Sequence, residues 1–323
     1  MSQPPQQFDN RPAPRRPAIW ERTVRMDVNR YLQEKKEIVD SALKRYFLRE
    51  EECPSNLHKA IQYSLFAGGK RIRPILSIAS FEAVGGRGER VLPFACALEM
   101  IHTYSLIHDD LPAIDNDDYR RGKPTCHKVF GEAIAILAGD GLLTEAFRLM
   151  TNQPAKIRPS SDEGLVLDLI NEVAHAAGIF GMVGGQVADV ESEGKAADLP
   201  MVQYIHSHKT GAMILASVRV GAKLGGAKEE ILKALTRYGE SLGLAFQIVD
   251  DILNVEGKAS LLGKKTGSDL SKGKATYPSV LGVEESKARA KELGGLAVDG
   301  LKEFGPEAEP LREIARFVIA REY

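Results

Sequence analysis

The chain has 323 residues, 43% of them hydrophobic, and 43 Lys and Arg nearly balance 44 Asp and Glu for a formal net charge of −1. Such a balance argues against a general nucleic-acid binder or a polybasic membrane protein, because neither sign dominates at long range. No stretch approaches the roughly 18 uninterrupted apolar residues of a membrane span, and the start lacks the apolar core of a signal peptide. Cys53, Cys96 and Cys126 are far apart and form no CxxC pair, so buried thiols in a reducing cytoplasm are expected.

Residues 1–22 are rich in Pro, Gln and Arg and too poor in apolar side chains to make a core, which predicts a disordered tail. Residues 23–323 are expected to form one all-α domain. Val28, Leu32, Ile38, Leu43 and Phe47 recur at spacings that favour one helical face. Long Ala/Leu/Glu/Lys-rich segments follow near 91–108, 130–150, 162–191, 200–224, 228–255 and 283–304. There is no convincing alternating strand, no repeat and no composition shift dividing the chain. The expectation is a single bundle of about ten or more helices around a deep cavity.

Taken in chain order, the first basic cluster is "GGKRIRP" (68–74), with Lys70, Arg71 and Arg73 behind two glycines that let backbone approach a ligand. Next comes "LIHDDLPAIDNDD" (106–118), which crowds Asp109, Asp110, Asp115, Asp117 and Asp118 against an apolar run. Pro112 cannot continue a helix interior, so Asp109 and Asp110 should lie at a helix C-terminus and the others in the following turn. Carboxylates beside the negative end of a helix dipole are unfavourable unless a cation compensates. An EF-hand does not fit, because its glycine and terminal glutamate positions would hold Arg120 and Cys126.

Arg120 and Arg121 adjoin the acidic turn. Gly178, Gly181 and Gly185 are spaced to share a helix face, either for close helix approach or for contact with a ligand. "HSHKTG" (206–211) supplies Lys209 and Thr210. In "GLAFQIVDDILNVEG" (243–257) Asp250 and Asp251 interrupt a buried run, with Asn254 on the face of Asp250. The basic stretch 262–278 adds Lys264, Lys265, Lys272 and Lys274. Any one cluster alone reads as solvated charge. Two diaspartates embedded in apolar helices, with no His or Cys ligand pattern, suit Mg²⁺ better than Zn²⁺. Mg²⁺ completes its shell with waters and substrate phosphates, for which the Gly-flanked basic clusters would supply counter-charge. No P-loop is present.

These motifs, in this order, resemble trans-isoprenyl diphosphate synthases, most closely the bacterial farnesyl diphosphate synthases. The carriers are "GGKRIRP", the segment from "IHTYSLIHDDLPAIDNDDYRRGKPT" to "GDGLL", "GMVGGQVADV", "HKTGA", "GLAFQIVDDILNVEG" and "GKATYP". The resemblance implies a homodimer without stable membrane insertion and with no nucleic-acid partner. It implies up to three Mg²⁺ per site, held by Asp109, Asp115 and Asp250 with Asp110 in support. It assigns Lys70, Arg73, His102 and Arg121 to isopentenyl diphosphate. Arg120, Lys209, Lys264 and Lys274 fall to the allylic diphosphate, with Thr210 and Gln247 near the reacting carbons. Gln186 and Asp189 are expected to face the cavity.

The expected reaction joins isopentenyl diphosphate to dimethylallyl and then geranyl diphosphate through an allylic carbocation, giving farnesyl diphosphate. Tyr104, five residues before Asp109 and next to Ser105, would floor the cavity at a C15 product; by itself it also reads as ordinary core. Asn254 departs from the family's DDxxD pattern, keeping an oxygen donor but losing a charge. The alternatives are a C20-forming geranylgeranyl diphosphate synthase, a terpene cyclase, which should lack the "GGKRIRP" and His102 site, and a non-catalytic partner subunit, which should have lost a diaspartate.

Overall fold

The computed structural model describes residues 26–47, 50–152, 163–256 and 273–321. The expected N-terminal tail and Lys264, Lys265 and Lys272 lie outside them. In chain order the helices are α1 (Val28–Tyr46), α2 (Ser55–Leu65), α3 (Ile72–Ala83), α4 (Leu92–Asp109), α5 (Cys126–Phe130), α6 (Glu132–Thr151), α7 (Glu163–Ala177), α8 (Met182–Ser192) and α9 (Leu199–Ile205). A π-helical turn, His206–Gly211, joins α9 to α10 (Ala212–Leu224). Then follow α11 (Glu229–Glu256), α12 (Tyr277–Leu281), α13 (Val283–Asp299) and α14 (Glu309–Ile319). Among the described residues the β-structure is one minimal antiparallel hairpin, β1 (Tyr119–Arg120) with β2 (Lys123–Pro124).

The all-α expectation holds, with local differences. The stretch expected as one helix over 162–191 is two, because Gly181 takes φ −137° and ψ −119° outside the helical region. Its apolar character is that of two helices broken by a turn. The segment 200–224 winds through the π turn instead of running as plain α-helix. The helix at 28–46 begins as its sequence dictates, with Asp27 accepting from Arg30 N at 3.1 Å as an N-cap.

Helix α4 is apolar on nearly every side and is buried accordingly, from Leu92 through Ile101. It packs on α6, α3 and α1. One core cluster joins Leu43, Leu65, Phe94, Leu98, Leu142 and Val173. A second joins Ile75, Leu76, Val218, Tyr238 and Ile314 from α3, α10, α11 and α14. A third, with Val202, Ile248, Ile252 and Tyr277, seats α9 and α12 on α11.

Arg71 stands apart from its basic neighbours. It is 3% exposed, takes φ +53° and caps the start of α3. Its guanidinium donates to Asp40 on α1 at 2.9 Å, to Glu99 on α4 at 2.7 Å and to the Leu65 carbonyl at the end of α2 at 2.7 Å. Counted in the sequence among the phosphate-facing cations, it is instead the buried tie between three helices, and its burial is compensated by paired carboxylates.

Candidate functional site

The last turn of α4 ends at Asp109, and the chain reverses immediately, with Asp115 N donating to the Asp109 carbonyl at 2.8 Å. Asp109 and Asp115 therefore line a cavity to which α11 contributes Gln247, Asp250 and Asn254. This charged compartment holds about 430 Å³ and is also lined by Arg120, Arg121, Asp189 and Lys274. A second, mostly apolar compartment of about 600 Å³ runs between α4 and α8, past Tyr104, Ser105, Met182, Val183, Gln186 and Val187. The two share Arg73, His102, Leu106, Asp109, Lys209 and Thr210 as a common wall.

Of the sequence-derived candidates, Asp109, Asp115, Asp250, Arg73, His102, Arg120, Arg121, Lys209, Thr210, Gln247 and Lys274 all line the charged compartment. Tyr104 and Ser105 line the apolar one. Lys70 is exposed, and partial burial together with Arg321 lowers its pKa while Asp250 opposes them. Lys264 lies outside the described residues.

Asp110 is the departure. It lines neither compartment and is 3% exposed, accepting from Arg120 Nε through both carboxylate oxygens at 2.7 and 2.8 Å. Expected beside the metal ligands, it instead aims Arg120. The hairpin of β1 and β2 brings that arginine back onto the end of α4.

Burial shapes the basic side. Arg73 is enclosed, which lowers its pKa, and its Nε has no hydrogen-bond partner. A buried, unsatisfied guanidinium N–H is costly unless an anion completes it. His102, enclosed and ringed by Arg73, Arg121 and Arg120, is held well below its usual pKa and is neutral. Arg121 donates to the Gly68 carbonyl. Gly69, at φ +119°, leaves room for it, since a Cβ there would lie 2.6 Å from the guanidinium carbon. The second glycine of "GGKRIRP" thus admits a side chain of the protein itself.

On the acidic side, burial raises the Asp109 pKa, Asp115 adds to the effect and Lys209 opposes it. Lys209 donates to Asp189 at 2.6 Å and Lys274 to Asp115 at 2.8 Å. Thr210 Oγ1 donates to Gln247 Oε1 at 2.8 Å. Both Lys209 and Thr210 project from the π turn. Helix α8 packs hard against that turn at Gly185, where a Cβ would sit 2.2 Å from Lys209 N. Of the two roles open to Gly185, close helix approach is the one observed.

Sequence reasoning gave less weight to several residues. His206 is 4% exposed, and burial pushes its pKa down to about 3. Its Nε2 stands 3.3 Å from Asp251 Oδ2. Both amide atoms of Gln186 are buried without partners beside the apolar compartment. Arg321, far from any motif, reaches Asp250 at 2.9 Å and stacks on Phe246 at 4.4 Å.

No three His, Cys, Asp or Glu side chains close into a metal cage among the described residues. The carboxylates form an open, all-oxygen set around one compartment, a donor arrangement that fits Mg²⁺ shared with phosphate oxygens and waters.

The comparisons agree with this architecture. Residues 54–300 match the polyprenyl synthetase family. The chain is 50% identical over 301 residues to a farnesyl diphosphate synthase of Geobacillus stearothermophilus, covering 93% of this chain and 100% of the relative. It is also 50% identical over 292 residues to a geranylgeranyl diphosphate synthase of Cyanophora paradoxa, covering 90% and 95%. The crystal structure of geranylgeranyl pyrophosphate synthetase from Pyrococcus horikoshii superposes with a TM-score of 0.82 at 30% identity, covering 92% of this chain and 99% of that one. By match, identity and fold together, this chain belongs to the polyprenyl synthetase family and is a prenyltransferase.

Proposed function

We propose that the enzyme condenses isopentenyl diphosphate with dimethylallyl and then geranyl diphosphate, releasing farnesyl diphosphate. The observation that carries this reading is the two-part cavity: a charged compartment that shares a wall with a mostly apolar one lined by Tyr104. A diphosphate fits the first and an isoprenoid tail the second, with Asp109, Lys209 and Thr210 at the junction.

Asp109, Asp115 and Asp250 are the residues that would hold Mg²⁺, with Asn254 beside them. When bound, the metal neutralises the charge that builds on a departing pyrophosphate. The protein's own residues do the rest. Arg120, Lys209 and Lys274, with Lys264 by resemblance, grip the allylic diphosphate. Arg73, His102 and Arg121, with Lys70 at the rim, hold isopentenyl diphosphate so that its alkene faces the allylic carbon. The Gln247 carbonyl and the Thr210 hydroxyl present oxygen where positive charge develops. The apolar wall excludes water, which would trap the cation as an alcohol. Proton loss needs no protein base. Neutral His102, ringed by arginines, is a poor one, and the released pyrophosphate is the acceptor.

Two copies of the chain make the proposed assembly. Ile136 and Leu137 on α6 and Leu167 on α7 expose large apolar side chains, Leu167 to 67%, as a partner-facing strip would. Three free thiols, Cys53, Cys96 and Cys126, suit a cytoplasmic enzyme.

A C20 product is the second reading, favoured by the identity to the Cyanophora enzyme. The bulk of Tyr104 in the wall of the apolar compartment argues for C15. Incubating purified protein with isopentenyl and dimethylallyl diphosphates plus Mg²⁺ and sizing the product tests both. A dominant C20 alcohol after phosphatase treatment decides for the second, and no prenyl product at all defeats both.

A further inference from the structure

Asp250 and Asp251 are adjacent in sequence, yet consecutive helical residues point about 100° apart. Both line the charged compartment, but Asp250 is 41% exposed by its side chain and pairs with Arg321, whereas Asp251 is 3% exposed. N–H groups from elsewhere in the fold donate to Asp251. Gln247 Nε2 reaches Oδ1 at 3.1 Å, and the Tyr277 N–H reaches Oδ2 at 3.0 Å. His206 Nε2 stands 3.3 Å from the same oxygen.

We infer that Asp251 is a positioning residue for prenyl transfer: it fixes which end of the Gln247 amide meets Thr210, and it is not a metal ligand. The two ends of a glutamine amide are nearly the same shape and differ in hydrogen-bonding sense. A carboxylate can only accept, so the end of Gln247 facing Asp251 must be the NH₂. The carbonyl oxygen is thereby placed at the other side, where Thr210 donates to it at 2.8 Å. In turn, the Thr210 proton points at Gln247 and its lone pairs are left toward the cavity. Gln247 and Asp251 stand four apart on α11, the spacing that lets them meet. His206 and Thr210 both belong to the π turn, so Asp251 stands beside that turn at His206 and reaches it again through Gln247 at Thr210.

The inference deepens the reaction proposed above and rests on it. Its test is a double-mutant cycle with a metal titration alongside. In Asp251→Asn the new amide keeps one acceptor for Tyr277 and turns its NH₂ toward Gln247, which must flip and show Thr210 its own NH₂. The expected result is a kcat lower by about tenfold or more, with Mn²⁺ affinity, read by electron paramagnetic resonance in the presence of inorganic pyrophosphate, within twofold of wild type. Gln247→Glu alone sets two carboxylates against each other and is also slow. The pair Asp251→Asn with Gln247→Glu restores an acceptor facing Thr210 and turns over faster than either single variant.

If Mn²⁺ affinity in Asp251→Asn falls as far as in Asp250→Asn, Asp251 is a metal ligand and the inference is overturned. A double variant no faster than the singles, or an unimpaired Asp251→Asn, overturns it as well. Wild-type turnover in the same assay separates the two levels, since its absence defeats the prenyl-transfer reading itself.

Discussion

Lys274 Nζ donates to Asp115 Oδ1 at 2.8 Å, joining positions 159 residues apart across the mouth of the charged compartment. The same exchange recurs around the cavity: Lys209 sits on Asp189, Arg120 on Asp110 and Arg321 on Asp250. Each wall carries carboxylates paired with cations from another element. A diphosphate and divalent ions entering together can take over both halves of such pairs without leaving net charge buried.

Lys274→Gln removes one allylic diphosphate contact and its hold on Asp115. Since a hydrogen bond to a charged group contributes roughly 1.5–3 kcal/mol, KM for the allylic substrate should rise by on the order of tenfold or more. KM for isopentenyl diphosphate should move far less. Steady-state kinetics with each substrate varied in turn checks this, and equal rises in both would refute it.

Asp109→Asn should slow turnover by at least about a hundredfold while making the protein more stable at neutral pH. Burial raises the folded-state pKa of Asp109 above its unfolded value. Its charged form therefore costs stability, fully so above the folded pKa and not at all below the unfolded one. Neutralising it should raise Tm at pH 7, and the gain should shrink as pH falls through the carboxylate range. Melting curves at several pH values decide, and an unchanged or lowered Tm at pH 7 counts against the assignment.

Tyr104→Ala should lengthen the product beyond C15. The ring is 6% exposed and meets His108 edge-on at 5.7 Å, while His108 in turn bonds the Ile136 carbonyl at 3.0 Å. Burial pushes the phenol pKa up to about 12, so this part of the apolar wall is neutral as well as bulky. Reverse-phase chromatography of the dephosphorylated products reads the outcome. A distribution identical to that of wild type removes Tyr104 from chain-length control.

Asn254→Asp should lower the Mg²⁺ concentration needed for half-maximal rate. Asn254 lines the compartment one helical turn beyond Asp250 and supplies an oxygen without charge. An Mg²⁺ dependence indistinguishable from wild type would show that this position does not tune the metal.

What could be read in the sequence was whatever a single helix dictates. The apolar run ahead of Asp109 and the proline after it placed a helix C-terminus at the acidic turn, where α4 does end. The apolar frame around Asp250 likewise gave α11. Partner choice was not legible, because it is settled between elements. Nothing in "GGKRIRP" distinguishes Arg71, buried against Asp40 and Glu99, from Arg73, which faces the cavity. Asp110 reads like Asp109 until the β1–β2 hairpin returns Arg120 to it. Gly181 lay within a plausible helical pattern, and its backbone angles are fixed only by the turn between α7 and α8.

The widened winding at His206–Gly211 has a bearing on how this scaffold can be rebuilt. Regular α-helix precedes and follows it, so the rod from Leu199 to Leu224 has two phases that are out of step. Trimming a residue or grafting an evenly wound substitute would leave a helix that looks sound by composition. It would also rotate the lysine and threonine off the cavity wall, so a chimera that borrows this rod must inherit its irregularity along with its side chains.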